Sequence, residues 1–162
     1  MLEKINKIID SFFFENIETI TKNEVVVMIG PICSGKTSYR KEHLEKTHII
    51  LDASEIYLKL NDGSAGGFGE HLMEELNFIG DEIITRILRN KYSFVVEVMP
   101  DQYKNIINII QSLKLEGYKT LGLKFDCTEE EAIQRSKKRD KNDISSYFTE
   151  NFHIAWLLKT IQ

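Results

Sequence analysis

The stretch Val25–Arg40, VVVMIGPICSGKTSYR, passes from an aliphatic run through a glycine into a short loop and out again into charge. The run before the glycine is mostly β-branched and short, which favours a buried strand over a helix. From Gly30 to Thr37 the residues satisfy G-x-x-x-x-G-K-[ST], a spacing that acquires chemical meaning when a strand precedes it and a helix follows. The alternative is a chance match on a glycine turn, and the strand–loop–helix setting argues against it. Backbone amides of such a loop can wrap a β-phosphate, and a helix beginning near Lys36 adds the positive end of its dipole. The Lys36 ammonium can reach the β and γ oxygens, and the Thr37 hydroxyl can ligate Mg²⁺. The expected nucleotide-binding set is Gly30, Pro31, Ile32, Cys33, Ser34 and Gly35 of the loop with Lys36, Thr37 and Ser38 of the helix. ATP or GTP is the expected nucleotide.

Outward from this stretch, strands and helices alternate. THIILDA, YSFVVEVM and YKTLGLKFDC are further short apolar or β-branched runs, each expected as a buried parallel strand. Helices are expected over 36–46, 54–60, 70–90, 101–115, 128–139 and 145–160, and Thr128 with Glu131 forms a capping-box pattern. Leu2, Ile5, Ile8, Ile9, Phe12 and Phe13 recur at helical spacing, so residues 1–22 read as an N-terminal helical extension with a core-facing stripe. The alternation implies an α/β fold of three layers, a P-loop NTPase fold whose mainly parallel sheet of about four or five strands is flanked by helices. Ligands are then expected at the carboxyl ends of the strands. The glycine-rich stretch 61–70 reads as a loop rather than a linker.

With 162 residues and 42% hydrophobic content, the chain suits one domain spanning 1–162. A formal net charge of −4 argues against a general nucleic-acid binder, leaving RSKKRDK, Arg135–Lys141, as a local basic cluster. Cys33 and Cys127 have no ligand or disulfide spacing, which fits reduced thiols in the cytoplasm. No apolar run approaches membrane-spanning length, and no membrane partner is expected. The four histidines are too scattered along the sequence to suggest a metal site.

A phosphate cradle is shared by GTPases, motor ATPases and small kinases, so other residues must choose the reaction. No guanine-binding Asn-Lys-x-Asp is found, and the short chain favours a small kinase. Asp52 ends IILD and Glu97 ends FVVE. On a parallel sheet both would project toward the phosphate loop, where a carboxylate can hold a metal's water shell or take a hydroxyl proton. Asp52 has a competing role as helix cap. Arg135 and Arg139 are four apart and share a helix face, from which guanidinium groups could neutralise a transferring phosphoryl, although a solvated face reads equally well. The catalytic candidates are Lys36, Asp52, Glu97, Arg135 and Arg139; the metal candidates are Thr37 and Asp52.

These residues resemble the zeta-toxin-like P-loop kinases. GPICSGKTSYR is similar to that family's loop running into G-K-T-S-x-R, and IILDAS to its second strand. YSFVVE is similar to the strand ending in its Glu, and LKLEGYKTLGLKFDCTEEEAIQRSKKR to its helix, strand and arginine-bearing helix. The resemblance implies transfer of the ATP γ-phosphate to a hydroxyl of a small molecule, a UDP-linked amino sugar for the toxins. It makes Lys36 and Thr37 the nucleotide and magnesium residues, Glu97 a substrate-side carboxylate, and Arg135 or Arg139 the cation near the phosphates. An antitoxin-like protein partner is also implied. Related members act on polynucleotide 5′-hydroxyls, the one role in which a nucleic acid is expected. Two positions depart from the pattern: Asp52-Ala53-Ser54 stands where the family often has Asp-x-Asp, and Cys33 stands where such loops commonly have glycine. The alternative reading is a nucleotide-binding regulatory or pseudo-kinase module.

Overall fold

A computed structural model describes residues 1–14, 17–31, 33–64, 72–138 and 152–161. The elements in chain order are α1 (Leu2–Ser11), β1 (Glu24–Ile29), α2 (Lys36–His43), β2 (Ile49–Leu51), α3 (Ala53–Leu60), α4 (Met73–Asn90), β3 (Phe94–Val98), α5 (Tyr103–Leu115), β4 (Lys119–Lys124), α6 (Glu129–Lys137) and α7 (Phe152–Ile161). A 3₁₀ turn at Pro100–Gln102 leads into α5, because proline lacks the amide that a deeper helical position would need.

Four strands form one parallel sheet in the order β2-β3-β1-β4, with helices on both faces, as expected of an α/β P-loop NTPase-like fold. The Val-rich β1 is central, pairing with β3 on one side and β4 on the other, and four of its six residues are buried. Alternation along the strands sorts their side chains. Val25 and Val27 of β1, Phe94, Val96 and Val98 of β3, and Ile49 and Leu51 of β2 face a large core completed by α1, α3, α4, α5 and α7. Val26, Met28 and Val95 face the other way, into a smaller cluster with Leu44, Tyr39 and Phe125 beside α2. By the same period of two, Glu97 falls on the α2 face with Val95. Asp52, still extended at φ −137° and ψ 108°, falls there with Ile50. Leu51 pairs with Val96, and Met28 pairs with Glu97. The carboxyl ends of β2, β3 and β1 therefore lie side by side, about 5 Å apart at each step.

Several expectations need correction. β2 is only three residues long. Among the described residues β4 lies at an edge of the sheet, with largely exposed side chains rather than buried ones. Helix α2 stops at His43 and not near residue 46, and α6 stops at Lys137. Leu2 is 68% exposed, so the α1 stripe consists of Ile5, Ile8 and Ile9 with Phe12 and Phe13. The Thr128–Glu131 capping box is present in both halves. The start of the expected closing helix and most of the glycine-rich loop, 145–151 and 65–70, lie outside the described residues. Among the described residues no helix is long and apolar enough to cross a membrane.

The closing helix α7 is anchored by Trp156, which is 2% exposed and donates its indole N–H to Asn77 Oδ1 at 2.9 Å. Its ring lies on Gly80 of α4, where a Cβ would overlap the indole. A Gly80→Ala chain should lose about 1–3 kcal/mol through overpacking, despite alanine's better helix propensity. Urea unfolding monitored by tryptophan fluorescence checks this; an unchanged or raised midpoint would contradict the packing described.

Candidate active site

The loop leaving β1 is bent by left-handed backbone. Gly35, at φ 99°, is the N-cap of α2, and Cys33 stands at φ 62°. That conformation costs an L-residue about 1–2 kcal/mol, which accounts physically for glycine being common at the position Cys33 holds. Ser34 donates its amide to Pro31 O at 3.3 Å, while its buried Oγ has no partner among the described residues. The Lys36 ammonium donates to Gly30 O and, at 2.9 Å, to Pro31 O. Arg135 of α6 reaches back to donate to Cys33 O at 2.9 Å. Ser38 lies in the first turn of α2; Ile32 and Arg139 lie outside the described residues.

These residues fit a phosphate group. The orphaned Ser34 hydroxyl is a buried donor lacking an acceptor, which a phosphate oxygen would supply. The loop opens onto the N-terminus of an eight-residue helix, and Lys36 is already folded over it. They also fit Mg²⁺, a hard ion that takes oxygen ligands. Thr37 Oγ1 donates to Glu97 Oε1 at 3.5 Å, so a hydroxyl and a carboxylate converge at the loop's exit.

Asp52 and Glu97 meet through a residue to which the sequence reading gave no role. Arg40, one turn after Lys36 on α2, donates through Nη2 to Asp52 Oδ2 at 2.6 Å and lies with Nε 3.4 Å from Glu97 Oε1. All three side chains are largely buried, at 7%, 14% and 20% exposure for Arg40, Asp52 and Glu97. The other oxygen of Asp52 accepts from Ser54 N at 2.9 Å and Ser54 Oγ at 2.6 Å. Asp52 is thus the N-cap of α3, the competing role named from the sequence, and also half of an ion pair with Arg40, which the sequence did not suggest. Ser54, in place of a second acid, supports the first.

The two carboxyl groups diverge in acidity. Burial opposes ionisation of Asp52, but the Arg40 guanidinium and the Ser54 hydrogen bonds outweigh it and hold the group below the usual carboxylate range. Glu97 goes the other way: burial, partly offset by Arg40 and reinforced by the negative charge of Asp52, pushes it up. For Arg40 itself, the two carboxylates overcome the cost of burial and strengthen its hold on the proton. Among the described residues nothing bonds Glu97 Oε2, whereas both Asp52 oxygens are engaged.

His153 is the second residue sequence reasoning missed. Although 56 positions from Glu97 and 100 from Ala53 in the chain, its ring lies between them: Ala53 donates its amide to Nε2 at 3.0 Å, and Nδ1 is 3.2 Å from Glu97 O. Burial lowers the basicity of this imidazole, only partly offset by the charge of Asp52 and the bond to Glu97. No short-range pattern marks such a residue. Arg40 was more accessible, because its spacing from Lys36 puts it on the same side of α2, one turn on.

Replacing Arg40 by Met leaves two buried carboxyl groups without their cation and should cost about 3–5 kcal/mol at neutral pH. With the guanidinium gone, burial makes both carboxyl groups weaker acids in the folded state than in the unfolded one. The folded form then binds more protons, and stability rises as pH falls. In the wild type the depressed Asp52 works oppositely, contributing stability that is complete above its unfolded pKa and lost as pH falls through its folded value. Denaturation at pH 7.5 and pH 5 should show the Arg40→Met penalty shrinking at the lower pH; a pH-independent penalty would contradict the burial of the pair.

No protein-family model matches the sequence, and no curated protein matches it significantly. Among solved structures, one from the PezAT chromosomal toxin-antitoxin system of the human pathogen Streptococcus pneumoniae is similar to this chain. It has a TM-score of 0.52 at 12% sequence identity, over 96% of this chain and 67% of the other. At that identity the likeness is one of fold alone, an α/β P-loop NTPase-like architecture.

Proposed function

We propose that this chain is a P-loop kinase that transfers the γ-phosphate of ATP or GTP to a hydroxyl group of a small molecule. The observation that carries the reading is the convergence, at three adjacent strand ends, of the Gly30–Thr37 loop with a buried Asp52–Arg40–Glu97 cluster. A nucleotide-binding module needs the loop alone. A carboxyl group of raised pKa beside it, one oxygen without a partner among the described residues, is what a phosphotransferase needs to accept a proton.

In this reading the loop amides and Lys36 bind the nucleotide phosphates, with the ammonium exchanging the carbonyls of Gly30 and Pro31 for phosphate oxygens. The acceptor hydroxyl enters beside Glu97. Its oxygen forms a bond to the γ-phosphorus, the bond from that phosphorus to the bridging oxygen breaks, and the hydroxyl proton passes to the Glu97 carboxylate. Asp52, with its oxygens occupied, fixes Arg40 rather than acting as base. Arg135 steadies the loop through Cys33 O and presents charge near the phosphates. Arg139 is proposed for the same charge-neutralising role. Mg²⁺ arriving with the nucleotide would neutralise charge on the β and γ oxygens; Thr37 is the residue to hold it, with Asp52 left an indirect part. Catalysis is then mostly positioning and electrostatics.

The acceptor class follows from resemblance: a UDP-linked amino sugar is the first candidate, and a polynucleotide 5′-hydroxyl the second. The fold likeness to a toxin–antitoxin component supports an antitoxin-like protein partner. Cytoplasmic action of a single domain completes the proposal.

Lys36→Ala should weaken nucleotide binding at least about tenfold by calorimetry, since it removes the charge that meets the phosphates. Glu97→Gln should leave that affinity within about twofold while reducing product formation by about 10²–10⁴, the range of a general base. The assay offers sugar nucleotides, nucleosides and 5′-hydroxyl oligonucleotides with Mg·ATP or Mg·GTP. Intact nucleotide binding with no phosphorylated product from any acceptor would favour a regulatory module instead.

A further inference from the structure

We infer that His153 is a positioning residue that holds the two carboxylate-bearing strand ends in mutual register as a neutral ring, an inference that rests on the kinase reading. A backbone amide can only donate, so Nε2, which receives the Ala53 amide at 3.0 Å, carries no proton. Nδ1 then bears the ring's hydrogen and donates it to Glu97 O at 3.2 Å. One tautomer satisfies both contacts, and a cationic ring satisfies only the second.

The two partners are significant. Ala53 is the first residue of α3 and immediately follows Asp52; its amide is one of the orphan donors at a helix start. The next amide, of Ser54, is taken by the Asp52 side chain. The second partner is the main chain of Glu97 itself. Arg40 thus joins the side chains of Asp52 and Glu97 from the α2 face, while His153 joins the backbones beside them from the helix α7, whose Ile154, Trp156 and Leu157 belong to the large core on the other face. The His153 ring is itself oriented by Trp156, 5.6 Å away between centroids, and Trp156 is fixed by Asn77 and Gly80 of α4. A continuous packed path runs from the helical layer to the spacing of the two carboxylates.

If His153 only filled space, its removal would lower stability and leave chemistry to follow. A positioning role instead separates turnover from nucleotide binding, because the described residues of the Gly30–Thr37 loop make none of the His153 contacts. In the full chain, His153→Ala should reduce the turnover number by about 10- to 100-fold, the scale of a sub-ångström to ångström misplacement. Its nucleotide affinity should stay within about twofold. His153→Gln, whose amide offers one acceptor and one donor, should recover most of the loss. Independently of any activity, ¹⁵N NMR of the wild-type ring should show the neutral Nδ1–H tautomer. A ring protonated on Nε2 would overturn the inference, as would a His153→Ala chain of full turnover beside an active wild type. So would turnover and nucleotide affinity falling together in both variants. A wild type that transfers phosphate to no acceptor would overturn the kinase reading and the catalytic part of this inference together, and the tautomer would still report the ring's geometry.

Discussion

The burial of one guanidinium between two carboxylates sets the terms for the rest of the site. Isolated, each of these charges would be costly at this depth, and a single buried pair seldom repays its desolvation. Arg40 with Asp52 and Glu97 carries a net negative charge, and the molecule deals with the surplus unequally. Asp52 receives the short bond from Arg40 and two more from Ser54, so the charge settles there. Glu97 receives only long contacts and is left the more easily protonated of the two. Two acids of one kind, on adjacent strands, acquire different chemistry from the supply of donors around them.

This inequality depends on the sheet. Because β3 lies between β1 and β2, the strand that bears Glu97 touches both the strand feeding the phosphate loop and the strand ending in Asp52. Because side chains alternate, both acids fall on the face where α2 begins. The same helix supplies Lys36 and Thr37 at its first turn and Arg40 at its second, so the cation folded over the loop and the acid clamp share one helix. The opposite face carries the bulk of the apolar packing, drawn from α1, α3, α4, α5 and α7.

Much of this was legible in the sequence because its causes are local. A β-branched run, a glycine spacing, a capping box and the period-two placement of Glu97 after FVV are each contained within a few residues. The carboxylates could be assigned to strand ends for the same reason. What stayed hidden was set by pairing between distant segments. Nothing near Lys119–Lys124 says that the strand lies at an edge of the described sheet, since that depends on which distant strands pair. Arg40 reads as one of several basic residues on a polar helix until β2 is brought against it. His153 reads as one of four scattered histidines until α7 is laid across two strand ends.

The position of Lys36 has a consequence for how the loop meets anions. Its ammonium is already solvated by main-chain carbonyls of Gly30 and Pro31, so the nest comes with an internal ligand to its own cation. On the kinase reading, nucleotide binding would be an exchange rather than an addition: phosphate oxygens would displace peptide oxygens, and the affinity would measure the difference between the two. Such a loop discriminates by charge density. Weakly charged anions gain little over the carbonyls they would replace, whereas a polyphosphate, arriving with several negative oxygens, shifts the balance decisively.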